Sequence, residues 1–145
     1  MILWFVSNDL LFVFSTLFAI FSSQVQARSQ CVRAKGRLLC PTDPDRQANI
    51  LVKLLDKDPL PWESDDRMGS TFTDEFGNYT VEGCADDFGQ WNDPDPYLKI
   101  EHRCPEPGHS ISIAHRLQTI TIERRYLPEE VHVHTIKLDQ VCLHC

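Results

Sequence analysis

Neither Gly-x-Ser-x-Gly nor His-Glu-x-x-His occurs anywhere in the 145 residues. The chain therefore lacks the nucleophile elbow of an α/β-hydrolase and the zinc-binding helix of a metalloprotease. No stretch recurs at a fixed period and none is of low complexity, which excludes solenoids and repeat arrays. Beyond residue 27 no apolar run approaches the ~18 residues of a membrane helix. Basic residues are the minority, 14 against 21 acids, for a formal net charge of −7 at pH 7. An acidic chain with scattered Lys and Arg does not wrap nucleic acid. A helical apolar period of useful length is missing as well.

The chain opens on a targeting segment. Leu10 to Phe21 is apolar but shorter than the ~20 residues that cross a bilayer. Ser22 to Gln26 is small and polar, and Val25-Gln26-Ala27 fits a small-x-small cleavage site. The start carries Asp9 and no Lys or Arg, where a basic beginning is usual. Residues 1–27 are read as a cleavable signal peptide and residues 28–145 as one domain. That domain is expected to be secreted and not membrane-spanning. All six cysteines, Cys31, Cys40, Cys84, Cys104, Cys142 and Cys145, fall within it. An even count behind a signal peptide implies disulfides in an oxidising compartment.

Alternation with period two runs through most of the domain. Val32, Ala34, Gly36, Leu38 and Cys40 share a face against Arg33, Lys35 and Arg37. Ile50, Val52 and Leu54 share another. Leu98, Ile100, His102 and Cys104 oppose Lys99, Glu101 and Arg103. Ile111 and Ile113 have the opposite parity to Ile120 and Ile122, which calls for a bulge or break near His115 to Thr119. A last strand is expected over Val133 to Leu138. Thr73-Asp74-Glu75-Phe76-Gly77-Asn78 reads as a hairpin turn, with Asp able to bond its own backbone and Gly able to take φ > 0. Asp56 to Asp66 and Gly83 to Pro96 read as polar loops. Short alternating strands between turns define an all-β sandwich. Cys40 and Cys104 end two strands on the face that carries Leu38 and Ile100, so they are paired across the sandwich. Cys84 is assigned to Cys142 or Cys145, and Cys31 to whichever remains. Asn78-Tyr79-Thr80 is an acceptor sequence for N-glycosylation, with Asn78 outward.

Lys35-Gly36-Arg37-Leu38-Leu39-Cys40, Val52-Lys53-Leu54-Leu55-Asp56, Asp65-Asp66-Arg67-Met68, Thr73 to Tyr79, Gly83, Pro96 to Cys104 and Thr135-Ile136-Lys137-Leu138 follow one another in an order and spacing that resembles the nematode transthyretin-like family. The chain departs from that family at Arg67, where Leu is usual, and at Ile122 to Tyr126, where Ile-Pro before an aromatic is usual. The resemblance implies a transthyretin-type β-sandwich of two four-stranded Greek-key sheets. It also implies an extracellular binding or bridging role. At least one member links exposed phosphatidylserine on dying cells to an engulfment receptor. The related hydroxyisourate hydrolases end in Tyr-Arg-Gly-Ser, whereas this chain ends Val141-Cys142-Leu143-His144-Cys145, so no enzyme and no cofactor is expected. Two classes remain. The first is a secreted module for a small ligand, a lipid headgroup or a cell-surface receptor. The second is a structural or antigenic protein of the cuticle or secretions with no dedicated ligand.

The residues that bear on chemistry are few. His132, His134, His144 and Cys142-x-x-Cys145 are ligand types for zinc, but extracellular cysteines oxidise and strand histidines are common at surfaces, so no metal is expected. Asp56, Asp58, Asp65, Asp66, Asp86, Asp87, Asp93 and Asp95 lie in acidic stretches that lack EF-hand spacing, and they are read as solvated loops. Arg33, Lys35 and Arg37 are read as a charged face protecting an edge strand, with an anionic headgroup or glycan as the alternative contact. Trp62, Asp65, Asp66 and Trp91 sit in the two long loops and are the candidate partner-binding residues, since function on a sandwich concentrates in loops.

Overall fold

A computed structural model describes residues 28–58, 62–87, 94–109 and 115–140. The targeting segment, Trp91, Asp93, Ile111, Ile113, His144, Cys142 and Cys145 lie outside them. Among the described residues eight strands form two four-stranded sheets. β1 (Arg28–Leu39) lies in the middle of one sheet, antiparallel to β4 (Asn78–Asp87) and parallel to β7 (Glu130–His132) and β8 (Ile136–Lys137). The other sheet has the order β3 (Asp66–Phe72), β2 (Leu51–Asp56), β5 (Pro96–His102), β6 (Arg116–Thr121), all antiparallel.

Side-chain alternation places the core. Val32, Ala34 and Leu38 from β1, and Tyr79 and Val81 from β4, face Val52 and Leu54 from β2 and Leu98 and Ile100 from β5. All are buried, and several are wholly inaccessible. A fully buried Val, Leu or Ile contributes ~1.5–3 kcal/mol relative to an exposed one, so this interface between sheets supplies most of the cohesion. Among the described residues two disulfides reinforce it. Cys40–Cys104 joins the residue after β1 to the loop after β5, and so links the sheets, with Cα atoms 5.7 Å apart. Cys84 is bonded to Cys31 rather than to Cys142 or Cys145, because the two are register partners in the β1–β4 ladder.

Other expectations are also corrected. The Asp74–Gly77 turn is not a hairpin: β3 pairs with β2, and β4 pairs with β1. The turn itself follows its residue types. Phe76 N–H and Asn78 N–H donate to Asp74 Oδ1 at 2.9 and 2.7 Å, and Gly77 takes φ 80°. β1 is central, so Arg33, Lys35 and Arg37 protect no edge. Arg33 is held by Glu82 at 2.6 Å, Lys35 by Glu130 at 2.7 Å, and Arg37 Nε donates to the Phe76 carbonyl at 2.9 Å. β4 runs on through Asp87, so the residues from Gly83 to Asp87 are strand, not loop. Of the last strand expected over Val133 to Leu138, only β8 is strand, and β7 lies before it; both pair in parallel with β1. β6 pairs with β5 without a register shift from Arg116 onward. Ile111 and Ile113 lie outside the described residues, and a separate register shift falls between Leu54 and Leu55 in the β2–β3 ladder.

Candidate functional site

The outward residues of β5 and β6, together with two loops, form a polar groove of about 500 Å³. Lys57, Asp65, Asp95, Tyr97, Thr119 and Thr121 line it. The floor follows from register, because Tyr97 lies opposite Thr121 on neighbouring strands and both alternate outward from buried Leu98 and Ile120. The walls are tied to the strands by hydrogen bonds. Asp56, buried at the end of β2, accepts Asp95 N–H at 2.7 Å, and Lys57 N–H donates to the Asp95 carbonyl at 3.2 Å. Asp65 bridges two elements: its Oδ1 accepts Asp58 N–H at 3.2 Å and its Oδ2 accepts the Tyr97 hydroxyl. Burial first, and then the bond to Asp65, push the Tyr97 phenol up to about 12. It therefore stays protonated and works as a donor at neutral pH.

Arg124 grips Asp95 with two bonds of 2.6 Å. That hydrogen bonding holds the Asp95 carboxyl below the usual range. The groove thus presents one ammonium, two ionised carboxylates, a protonated phenol and two threonine hydroxyls. This is a hydrogen-bonding surface on a rigid base, without a paired nucleophile and base.

Of the four candidate partner-binding residues, only Asp65 lines the groove. Asp66 opens β3 opposite Asp56. Trp62 stands 81% exposed in the turn before Asp65, and Trp91 lies outside the described residues. Asp56 is buried and bonded, not solvated. His132 contacts Glu130 at 3.1 Å. Among the described residues no group of three His, Cys, Asp or Glu is placed to hold a metal ion. Sequence reasoning missed Lys57, Tyr97, Thr119 and Thr121. Tyr97, Thr119 and Thr121 carry only outward parity, which every solvated strand position shares, and Lys57 is a loop residue with no pattern of its own.

Two sheets of four strands define a β-sandwich that carries a loop-walled polar groove. A model of the transthyretin-like family matches residues 35–122, and the chain belongs to that family, which is generally non-enzymatic. No curated protein matches it. Among solved structures, a 9R-lipoxygenase from Cyanothece is similar at a TM-score of 0.49 and 16% identity, over 86% of this chain and 20% of that enzyme. The chain spans a fifth of the enzyme's length, and a likeness this slight bears on neither fold nor activity.

Proposed function

We propose that the protein is a secreted, non-enzymatic binding or bridging module that acts outside the cell on a small ligand, a lipid headgroup or a receptor, through the groove at Asp65 and Tyr97. The observation that carries this reading is the convergence of Asp65 from one long loop and Asp95 from the other on Tyr97 and the β6 threonines. Two disulfides support an extracellular setting, as expected for oxidising compartments. Among the described residues no helix is long and apolar enough to cross a membrane. Export by a signal peptide ending at Ala27 belongs to the same proposal.

The test is binding of the mature chain, Tyr97→Phe and Lys57→Ala to phosphatidylserine vesicles, with affinity capture from extracellular fluid in parallel. The reading expects the two groove variants to lose binding by about tenfold per hydrogen bond removed. Trp62→Ala serves as the control for the neighbouring exposed loop. Undiminished binding by both groove variants would move the contact surface elsewhere.

A further inference from the structure

The two disulfides differ in access, and access governs thiol chemistry. Cys40 and Cys104 are 1% and 0% exposed. The Thr42 hydroxyl lies 3.6 and 3.5 Å from their sulfurs and donates to the Pro105 carbonyl at 2.8 Å, which covers the bond. Cys31 and Cys84 are both exposed. They lie on the outward face of the ladder with Arg33 and Glu82 and line a depression of about 740 Å³.

The bonds differ equally in what depends on them. Among the described residues Cys40–Cys104 is the covalent link between the sheets. Cys31–Cys84 joins two residues that the β1–β4 ladder already holds opposite each other, and the pairing continues to Arg28↔Asp87 on one side and Arg37↔Asn78 on the other. The Arg33–Glu82 ion pair of 2.6 Å lies two positions along the same face. Breaking the bond leaves these contacts in place.

We propose that Cys31–Cys84 is a thiol-exchange site that takes up a small-molecule thiol while the fold stays intact. A thiolate attacks one sulfur, the Cys31–Cys84 bond breaks as the mixed disulfide forms, and the other cysteine leaves as a thiolate that takes a proton from water. A second thiolate attacks the mixed disulfide and releases a symmetrical small disulfide. Two electrons pass from the two thiols to the cysteine pair, which becomes the dithiol. The depression is lined by Glu82, Glu129 and Glu130 against Arg33, with Lys35 paired to Glu130 from beside it, so acids still outnumber bases. Its charge therefore favours a cationic thiol over an anionic one, and salt weakens that preference.

The experiment uses the secreted full-length mature chain with graded cysteamine or reduced glutathione. Free thiols are trapped by alkylation and located by peptide mapping, which separates Cys142 and Cys145 from the rest. Near-ultraviolet circular dichroism reports the fold. The expected result is label on Cys31 and Cys84 with none on Cys40 and Cys104, an unchanged spectrum, and a cysteamine rate that falls with salt while the glutathione rate rises. The double variant Cys31→Ser/Cys84→Ser is expected to keep the wild-type spectrum. Label on Cys40 and Cys104 at the same or lower thiol concentration would overturn the proposal. So would reaction of Cys31 and Cys84 only with loss of the spectrum, or a salt response of opposite sign.

Discussion

The Tyr79 ring fills the space that a side chain on Gly36 would need. The two residues are register partners on β4 and β1, and a Cβ on Gly36 would lie 2.5 Å from the Tyr79 hydroxyl oxygen and 3.0 Å from a ring carbon. Tyr79 is 4% exposed, so the ring has nowhere to withdraw. Gly36→Ala should destabilise the domain by ~1–3 kcal/mol through overpacking, read as a lower urea midpoint with unchanged slope.

The same pair makes a second, opposite prediction. The Tyr79 hydroxyl is buried and has no hydrogen-bond partner among the described residues, and desolvation pushes its pKa upward. An unpaired buried hydroxyl costs free energy. Tyr79→Phe keeps the ring over Gly36 and removes only that oxygen, so its urea midpoint should match or exceed that of the wild type. A loss above ~1 kcal/mol would show that the hydroxyl has a partner.

His102 sets a pH dependence. It is 5% exposed on the inner face of β5, and its Nδ1 accepts Cys104 N–H at 3.2 Å. Burial first, then the nearby Arg116, lower its pKa from 6.5 to about 4. Between those values the unfolded chain binds a proton that the folded chain refuses, so stability rises with pH across that window. It is complete above pH 6.5 and is lost as pH falls through about 4, by up to ~3 kcal/mol. Denaturation at pH 7, 5 and 4 should show this loss in the wild type and a flatter profile in His102→Gln. Matching slopes in the two proteins would remove His102 as the cause.

Parity made much of this fold readable. Leu98 and Ile120 alternate with polar or charged neighbours, while Leu51 and Leu55 blur the pattern around Val52 and Leu54, and each inward residue is buried where alternation puts it. Parity names a face, however, and not a neighbour. Cys31 shares its face with Arg33, and Cys84 shares its face with Glu82, but only the pairing of β1 with β4 brings the two cysteines together. That pairing spans 53 residues of chain. The groove was hidden for the same reason. Asp65 stood out by its loop, whereas Tyr97, Thr119 and Thr121 looked like any solvated strand positions until register set them side by side. Ile136 and Leu138 are buried, but Val131 is buried at the opposite parity, so the inward face changes parity between β7 and β8, and β7 falls before the strand that alternation suggests over Val133 to Leu138.

The Cys40–Cys104 bond spans 64 residues and joins the sheets. In the chain-entropy account a loop of that size is worth roughly 4 kcal/mol. Replacing both cysteines with Ala should lower stability by about that amount in a urea series, and the Cys31→Ser/Cys84→Ser pair should lose a similar amount, since its loop of 53 residues is nearly as long. A clearly larger loss for the Cys40 and Cys104 variant would show that the bridge also acts in the folded state by holding the sheets together.

Asn78 gives the last prediction. It opens β4, is exposed, and stands two residues before exposed Thr80. Its Nδ2 donates to Asp74 Oδ2 at 3.0 Å, and this bond is the leading cause of a lowered Asp74 pKa. An amide carries two N–H donors, and a glycan replaces one of them, so the bond to Asp74 can survive glycosylation. The sugar would project away from Tyr79 and Val81, which face the core. Material secreted from a eukaryotic host should therefore shift in mass on peptide-N-glycosidase treatment. Asn78→Gln should abolish the shift and leave the thermal midpoint within a few degrees of the deglycosylated wild type, since the change falls at an exposed position. An unshifted mass in secreted wild-type protein would show that the acceptor is not used.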